Sequence, residues 1–91
     1  MFAVIVHESG DAQLVLNSAD HLAANVMPQV RRAPGIVSAT FTADESGRTL
    51  NVLVFEDERA ARNAADRIHI AARPAFMHVD SIEFREVLAH F

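Results

Sequence analysis

Five histidines, His7, His21, His69, His78 and His90, stand out in a 91-residue chain that has no cysteine. Imidazole can ligate a metal or move a proton near neutral pH. No two of the five stand four apart on one expected helix, and there is no HExxH run, so spacing supplies no metal site. The lack of cysteine excludes disulfides, thiolate nucleophiles and Cys-ligated clusters. Glu56, Asp57 and Glu58 gather carboxylates at the expected start of a helix, where capping and the helix dipole account for them. No glycine-rich phosphate loop occurs, and no Ser-His-Asp grouping is recognisable, since such triads are defined by geometry. The chain is therefore read as carrying no metal, haem, flavin or other cofactor.

Other polar residues could serve a binding cleft. His21 and Asn25 are four apart and share a helix face beside Leu22 and Val26. They either edge a cleft or face water. His69 follows Ala61 and Ala65 at helical spacing, so it either flanks the same cleft or sits at a helix end against the dipole. The second helix carries a small-residue stripe of Ala61, Ala64, Ala65 and Ala72 with Ile68. Small side chains there either bring the helix close to its sheet or leave volume for a ligand, and Phe55 or Phe76 is large enough to fill that volume.

The elements that must position these residues follow from periodicity. Phe2 to His7 is short, β-branched and apolar, and Gly10-Asp11 ends it, which predicts a first strand. Leu14 to Leu16 reads as a strand extension or a loop tucked on the core. Asn17 or Ser18 offers an N-cap, and Leu22, Val26, Val30 and Ala33 form one apolar helical stripe that Ala33-Pro34-Gly35 stops. Pro28 lies inside that helix, where it removes a backbone hydrogen bond and bends the axis. Ile36 to Ala43 and Thr49 to Phe55 alternate around the turn Asp44-Glu45-Ser46-Gly47, which predicts a hairpin. Asp57 caps a second helix from about Glu58 to Ala71, Pro74 ends it, and Val79 to about Ala89 reads as the last strand. The order β-α-β-β-α-β over residues 1–91 predicts one ferredoxin-like domain, a four-stranded antiparallel sheet with both helices on one face.

A turn centred on Ser46-Gly47 pairs Phe41 near Val52 and Thr40 near Leu53. One hairpin face then carries Val37, Ala39, Phe41, Ala43, Leu50, Val52 and Val54. The other carries Ile36, Ser38, Thr40, Thr42, Asn51, Leu53 and Phe55. Strand one is apolar in both parities. Two helices cover only one sheet face, and a solvated back would alternate with polar residues, so an identical second chain is expected to cover the other face. The competing cover is a loop such as Leu14 to Leu16 laid across the back.

Composition narrows the partners. A net charge of −4 opposes nonspecific nucleic-acid binding. Arg48 to Phe55 superficially resembles an RNA-recognition strand, but Leu50 and Val52 stand where stacking aromatics are needed. The N-terminal apolar run is too short for a signal sequence and has no basic residue before it, and no stretch reaches membrane-spanning length. A cytoplasmic protein is expected. All eight basic residues are arginine, and with the many alanines this suggests a GC-rich bacterial genome.

Pro28 followed by Arg32-Ala33-Pro34-Gly35-Ile36, then Leu53-Val54-Phe55-Glu56-Asp57-Glu58-Arg59-Ala60-Ala61, and the closing Val87-Leu88-Ala89-His90 resemble the dimeric α+β barrel superfamily. Within it they are most similar to the antibiotic-biosynthesis-monooxygenase-like domains. The resemblance implies two sheets packed back to back, with each subunit's cleft between its own sheet and helices. It places Phe55 on the helix side, where a tryptophan stands in the oxygenases and haem degraders. Ser38, Thr40 and Asn51 would then line the cleft from the sheet, with His21, Asn25 and His69 as helical candidates. Haem degraders use a histidine on the second helix, where His69 is the only one available. The implied functions are binding of a small apolar or aromatic molecule by a homodimer, a cofactor-independent monooxygenase, or a non-catalytic regulatory or structural dimer. The residues leave open whether the chain is an enzyme.

Overall fold

β1 runs from Phe2 to Gly10, three residues beyond the expected end of the first strand. The structure, a computed structural model, describes residues 1–71 and 73–91, with Ile70 described by its backbone; Ala72, assigned above to the inner stripe of the second helix, lies outside the described residues. After β1 come α1 (Ala12–Leu16), α2 (Ala19–His21), a π-helical stretch (Leu22–Val26) and α3 (Met27–Val30). β2 (Ile36–Ala43), β3 (Arg48–Phe55), α4 (Glu58–Ile70) and β4 (Met77–Glu86) complete the chain. The antiparallel sheet has the order β2-β3-β1-β4, as the βαββαβ pattern requires.

Leu14 to Leu16 is helical and lies on the helix side, with Val15 buried, so it does not cross the back of the sheet. Asp11 caps α1 through its side chain, which accepts from Leu14 N at 3.1 Å. Ser18 stands at the start of α2 as expected, but its hydroxyl donates to Val15 O at 2.6 Å and caps nothing. Pro28 sits in the first turn of α3, directly after the π stretch. With no N–H at Pro28 the regular ladder cannot run through, and the backbone widens there, as π-bulges do. Gln29 Nε2 donates to Asn25 O at 3.1 Å and satisfies one carbonyl of that stretch. Asp57 caps α4 as its position suggests, accepting from Ala60 N at 2.9 Å.

The hairpin differs from the simple expectation by one residue. Asp44 N donates to Arg48 O at 2.9 Å, which leaves a three-residue loop with Gly47 at φ +85°. Such a loop is a turn closed by a left-handed glycine. A side chain at Gly47 would collide with Gly10 O. An odd loop pairs Phe41 with Asn51, Ala39 with Leu53 and Thr40 with Val52. Between Ile36 and Ser38 the ladder shifts again, and Ile36 rejoins the row of Phe55.

These registers sort the faces. Val4, Val6, Leu53 and Phe55 are buried on the helix side against Ala61 and Ala65 of α4, joined by Phe2, Ile36, Ala39, Ile82 and Phe84. The opposite face carries Ala3, Ile5 and His7 on β1, Leu50, Val52 and Val54 on β3, and Ser38, Thr40 and Thr42 on β2. It is therefore mixed, not wholly apolar. β4 ends at Glu86, short of the expected Ala89, and the tail turns under this open face. Val87 N donates to Met1 O at 3.0 Å, and His90 Nε2 hydrogen-bonds Ser38 Oγ on the far edge strand at 3.2 Å. Ala3 and Val54 are buried although no helix covers them. Leu88 and Phe91 of the same tail are almost wholly exposed, Leu88 at 94%.

Candidate ligand-binding cleft

α4 packs directly on β1, β3 and β4, whereas the helical layer from Ala12 to Val30 meets the core less extensively, through residues such as Val30. Between that layer, α4 and the sheet lies a cleft of about 950 Å³. Its walls are mainly apolar: Leu22, Val26 and Val30 from the first helical layer, Leu53, Phe55 and Phe41 from the sheet, and Ala60, Ala64 and Ile68 from α4. The apolar stripe expected on the first helix is thus largely a cleft wall. The small residues of α4 divide the two roles proposed for them: Ala61 and Ala65 are buried in solid contact with the sheet, while Ala60 and Ala64 border the cleft.

One end of the cleft is polar and nearly dry. Asn51 is the buried polar residue among those described, and its Nδ2 donates to Glu8 Oε1 at 3.1 Å. The other carboxylate oxygen, Oε2, accepts from Arg73 Nε at 3.0 Å. The Glu8 and Arg73 side chains are only 15% and 19% exposed. Arg73 also donates to Ala71 O at 3.0 Å and Ile68 O at 2.7 Å, closing the last turn of α4. Asn51 Oδ1 accepts from Thr42 N at 3.4 Å. No buried side-chain polar atom among the described residues lacks a partner. Burying a charged pair is tolerable when its remaining sites are bonded in this way.

Four of the seven candidate residues meet at this cleft: His21, Asn25, Asn51 and Phe55. Asn25 Nδ2 donates to His21 Nδ1 at 3.2 Å, so the two share a face as their spacing predicts. Ser38 and Thr40 do not line the cleft; the three-residue hairpin loop puts both on the open face, and the ladder shift beyond Ser38 affects only Ile36. His69 is exposed and lies outside the cleft lining. Glu8 and Arg73 were not anticipated. Glu8 continues the inward parity of Phe2, Val4 and Val6 once β1 is extended, which is the sequence signal for it. Arg73 has no local signal.

The carboxyls whose titration is clearly perturbed lie elsewhere. Asp44 is held below its ordinary value by Ser46 Oγ and by the backbone N–H groups of Arg48 and Ser46 in the hairpin turn. Glu83, on the open face, is lowered by the hydrogen bond from His7 and by the charge of Arg85. Among the described residues no cluster of three or more His, Asp or Glu side chains could hold a metal ion. His21 is the one histidine lining the cleft, and its Nδ1 is engaged by Asn25. With His69 outside the cleft, the residues fit poorly to a porphyrin iron ligated from α4.

No family model matches the chain, and no curated protein matches it. Solved structures do. A monooxygenase from the gene ActVA-Orf6 of Streptomyces coelicolor, in complex with nanaomycin D, is 19% identical with a TM-score of 0.62, covering 99% of this chain and 89% of that one. A substituted MhuD with two manganese protoporphyrin IX molecules per active site is 16% identical with a TM-score of 0.69, covering 100% and 98%. A dimeric ferredoxin-like protein from an uncultured marine organism is 12% identical with a TM-score of 0.58, covering 100% and 98%. The chain shares the ferredoxin-like βαββαβ fold of these proteins. At these identities the likeness concerns the fold. No helix among the described residues is long and apolar enough to cross a membrane.

Proposed function

We propose that the chain is the subunit of a homodimer whose cleft binds a small, largely apolar or aromatic molecule. The observation that carries this reading is the cleft itself. Helices that served only to pack would close onto the sheet, because protein interiors are dense and apolar surface left facing water forgoes about 25 cal/mol per Å² of burial. Here an apolar-walled space of about 950 Å³ stays open beside a few fixed polar groups, the usual form of a small-molecule site. Two structural neighbours carry small ligands in a related fold, nanaomycin D in one and manganese protoporphyrin IX in the other.

The dimer rests on different observations. Ile5, Val52 and Leu50 form an apolar strip on the open face, and Leu88 and Phe91 lie exposed on the tail that crosses it. A second copy would cover them, as the description of one neighbour as dimeric suggests. A cofactor-independent monooxygenase is the catalytic version of the same reading, favoured by the buried Asn51 amide beside an apolar cleft. A non-catalytic dimer is the version without a reaction.

The test is binding of a neutral aromatic probe, N-phenyl-1-naphthylamine, followed by fluorescence. Wild-type protein is expected to bind it about once per chain, and Ala64→Phe, which places a ring inside the cleft, is expected to abolish binding while the protein stays folded. Absence of binding to wild-type protein, or undiminished binding to folded Ala64→Phe, overturns the cleft as the site.

A further inference from the structure

The chain as a whole is acidic, with 12 carboxylate and 8 arginine side chains, yet its cleft is not. Glu8 is the one acidic residue lining it, and Arg73 neutralises that carboxylate at 3.0 Å. Two further arginines line the cleft, Arg32 after α3 and Arg67 on the third turn of α4. Both are exposed, and among the described residues neither forms an ion pair with a carboxylate; the salt bridges there involve Arg62, Arg73, Arg85 and His7. The uncharged polar groups of this rim, Gln29 and Asn63, can donate hydrogen bonds as well. A positively lined opening in a negative protein focuses field toward anions and away from cations.

Resting on the cleft reading above, we infer that the ligand class is an amphipathic anion: an apolar, ring-sized body seated against Val26, Val30 and Ile68, with an acidic group held by Arg32 or Arg67. Guanidinium matches the two oxygens of a carboxylate or sulfonate, and charge-assisted hydrogen bonds of this kind are about twice as strong as neutral ones. The polar end at Glu8 does not compete for the acid group, since a carboxylate already sits there. The anion is thereby directed to the opening and the apolar body to the interior.

Two probes that share one apolar skeleton separate the two levels of the inference. 1-Anilinonaphthalene-8-sulfonate carries a sulfonate; N-phenyl-1-naphthylamine lacks it. Each is titrated into full-length wild-type protein, into the Arg32→Gln/Arg67→Gln double variant, and into Arg59→Gln, whose arginine is exposed on α4 outside the cleft. The double variant is expected to bind the sulfonate about tenfold or more weakly and the neutral probe within about twofold of wild type. Arg59→Gln is expected to leave both affinities unchanged, and raised salt should weaken only the sulfonate. Equal losses for both probes, or an unchanged sulfonate affinity in the double variant, overturn the anion inference while the cleft stands. Failure of wild-type protein to bind either probe removes the cleft reading and the inference with it.

Discussion

Asn51 and Glu8 join β3 to β1 through their side chains at 3.1 Å on the helix side of the sheet, and this bond fixes the polar end of the cleft. The contact is possible because the ladder sets Val6 opposite Asn51, one step along the same face from Glu8. Arg73 closes the arrangement from the segment after α4. Sheet and helix are thus tied at one end by polar bonds and at the other by the packing of Phe55 on Ala61 and Ala65.

Removing one member of this pair leaves the other charge in a nearly dry site. Glu8→Ala and Arg73→Ala are each expected to lower unfolding free energy by about 2–4 kcal/mol, somewhat less than for a wholly buried pair because both side chains keep some water contact. Glu8→Ala/Arg73→Ala should lose clearly less than the sum of the two, giving a coupling of about 1–2 kcal/mol in denaturant titrations. Strict additivity would show that the pair contributes nothing jointly.

Val52 lies between Ile5 and Thr40 on the open face, near its centre. Val52→Glu would place an unpaired charge where the proposed partner sheet packs, at a cost of several kcal/mol. Sedimentation at micromolar concentration is expected to show a dimer for wild-type protein and a folded monomer for Val52→Glu. A monomeric wild type removes the dimer from the reading.

The course of the chain was legible because its elements alternate cleanly in periodicity, and because Asp57 and Pro34-Gly35 are strong punctuation. Which residues face the cleft was less so. Alternation along Ile36 to Ala43 defines two sets of side chains, but only the length of the turn decides which set meets Asn51. A three-residue loop rather than an even one moved Ser38 and Thr40 to the open face and brought Phe41 inward. His21 and Asn25 were recoverable from helical spacing alone, since both belong to one short segment. Glu8 and Arg73 meet across 65 residues of sequence, a tertiary relation that no local pattern encodes. The tail over Ala3 and Val54 is similar: residues 87–89 read as the end of a strand until β1 and β2 are placed beside them.

Asp44 accepts hydrogen bonds from Ser46 Oγ at 2.6 Å, Ser46 N at 2.9 Å and Arg48 N at 3.1 Å, which stabilise its charged form and lower its pKa from 3.8. A carboxyl depressed in the folded state stabilises the protein above its ordinary pKa, and that stabilisation fades as pH falls through the depressed value. The stability gap between wild type and Asp44→Asn should therefore be constant near neutrality and close only in strong acid. A carbon-detected NMR titration is expected to place Asp44 below 3.8, and Ser46→Ala should move it upward. A midpoint at or above the ordinary value contradicts the turn geometry.

Phe55 is wholly buried directly behind the cleft wall, so it supports that wall from the core. Phe55→Ala is expected to cost about 3–5 kcal/mol of stability, the usual range for emptying an aromatic site in a core. Emptying it also lets its cleft-facing neighbours Leu53 and Ala64 shift, which deforms the wall on which an aromatic ligand would rest. Binding of N-phenyl-1-naphthylamine, measured only under conditions where circular dichroism shows the variant folded, should weaken about tenfold or more. His90→Ala serves as the comparison, because His90 bonds Ser38 on the opposite side of the sheet, and it should leave the affinity unchanged. Leu53→Ala, on the same face one ladder step away, should weaken binding to an intermediate degree. If folded Phe55→Ala and Leu53→Ala both bind the probe as tightly as His90→Ala does, the ligand wall is not on this sheet face, and the cleft between sheet and helices is not where aromatic molecules sit.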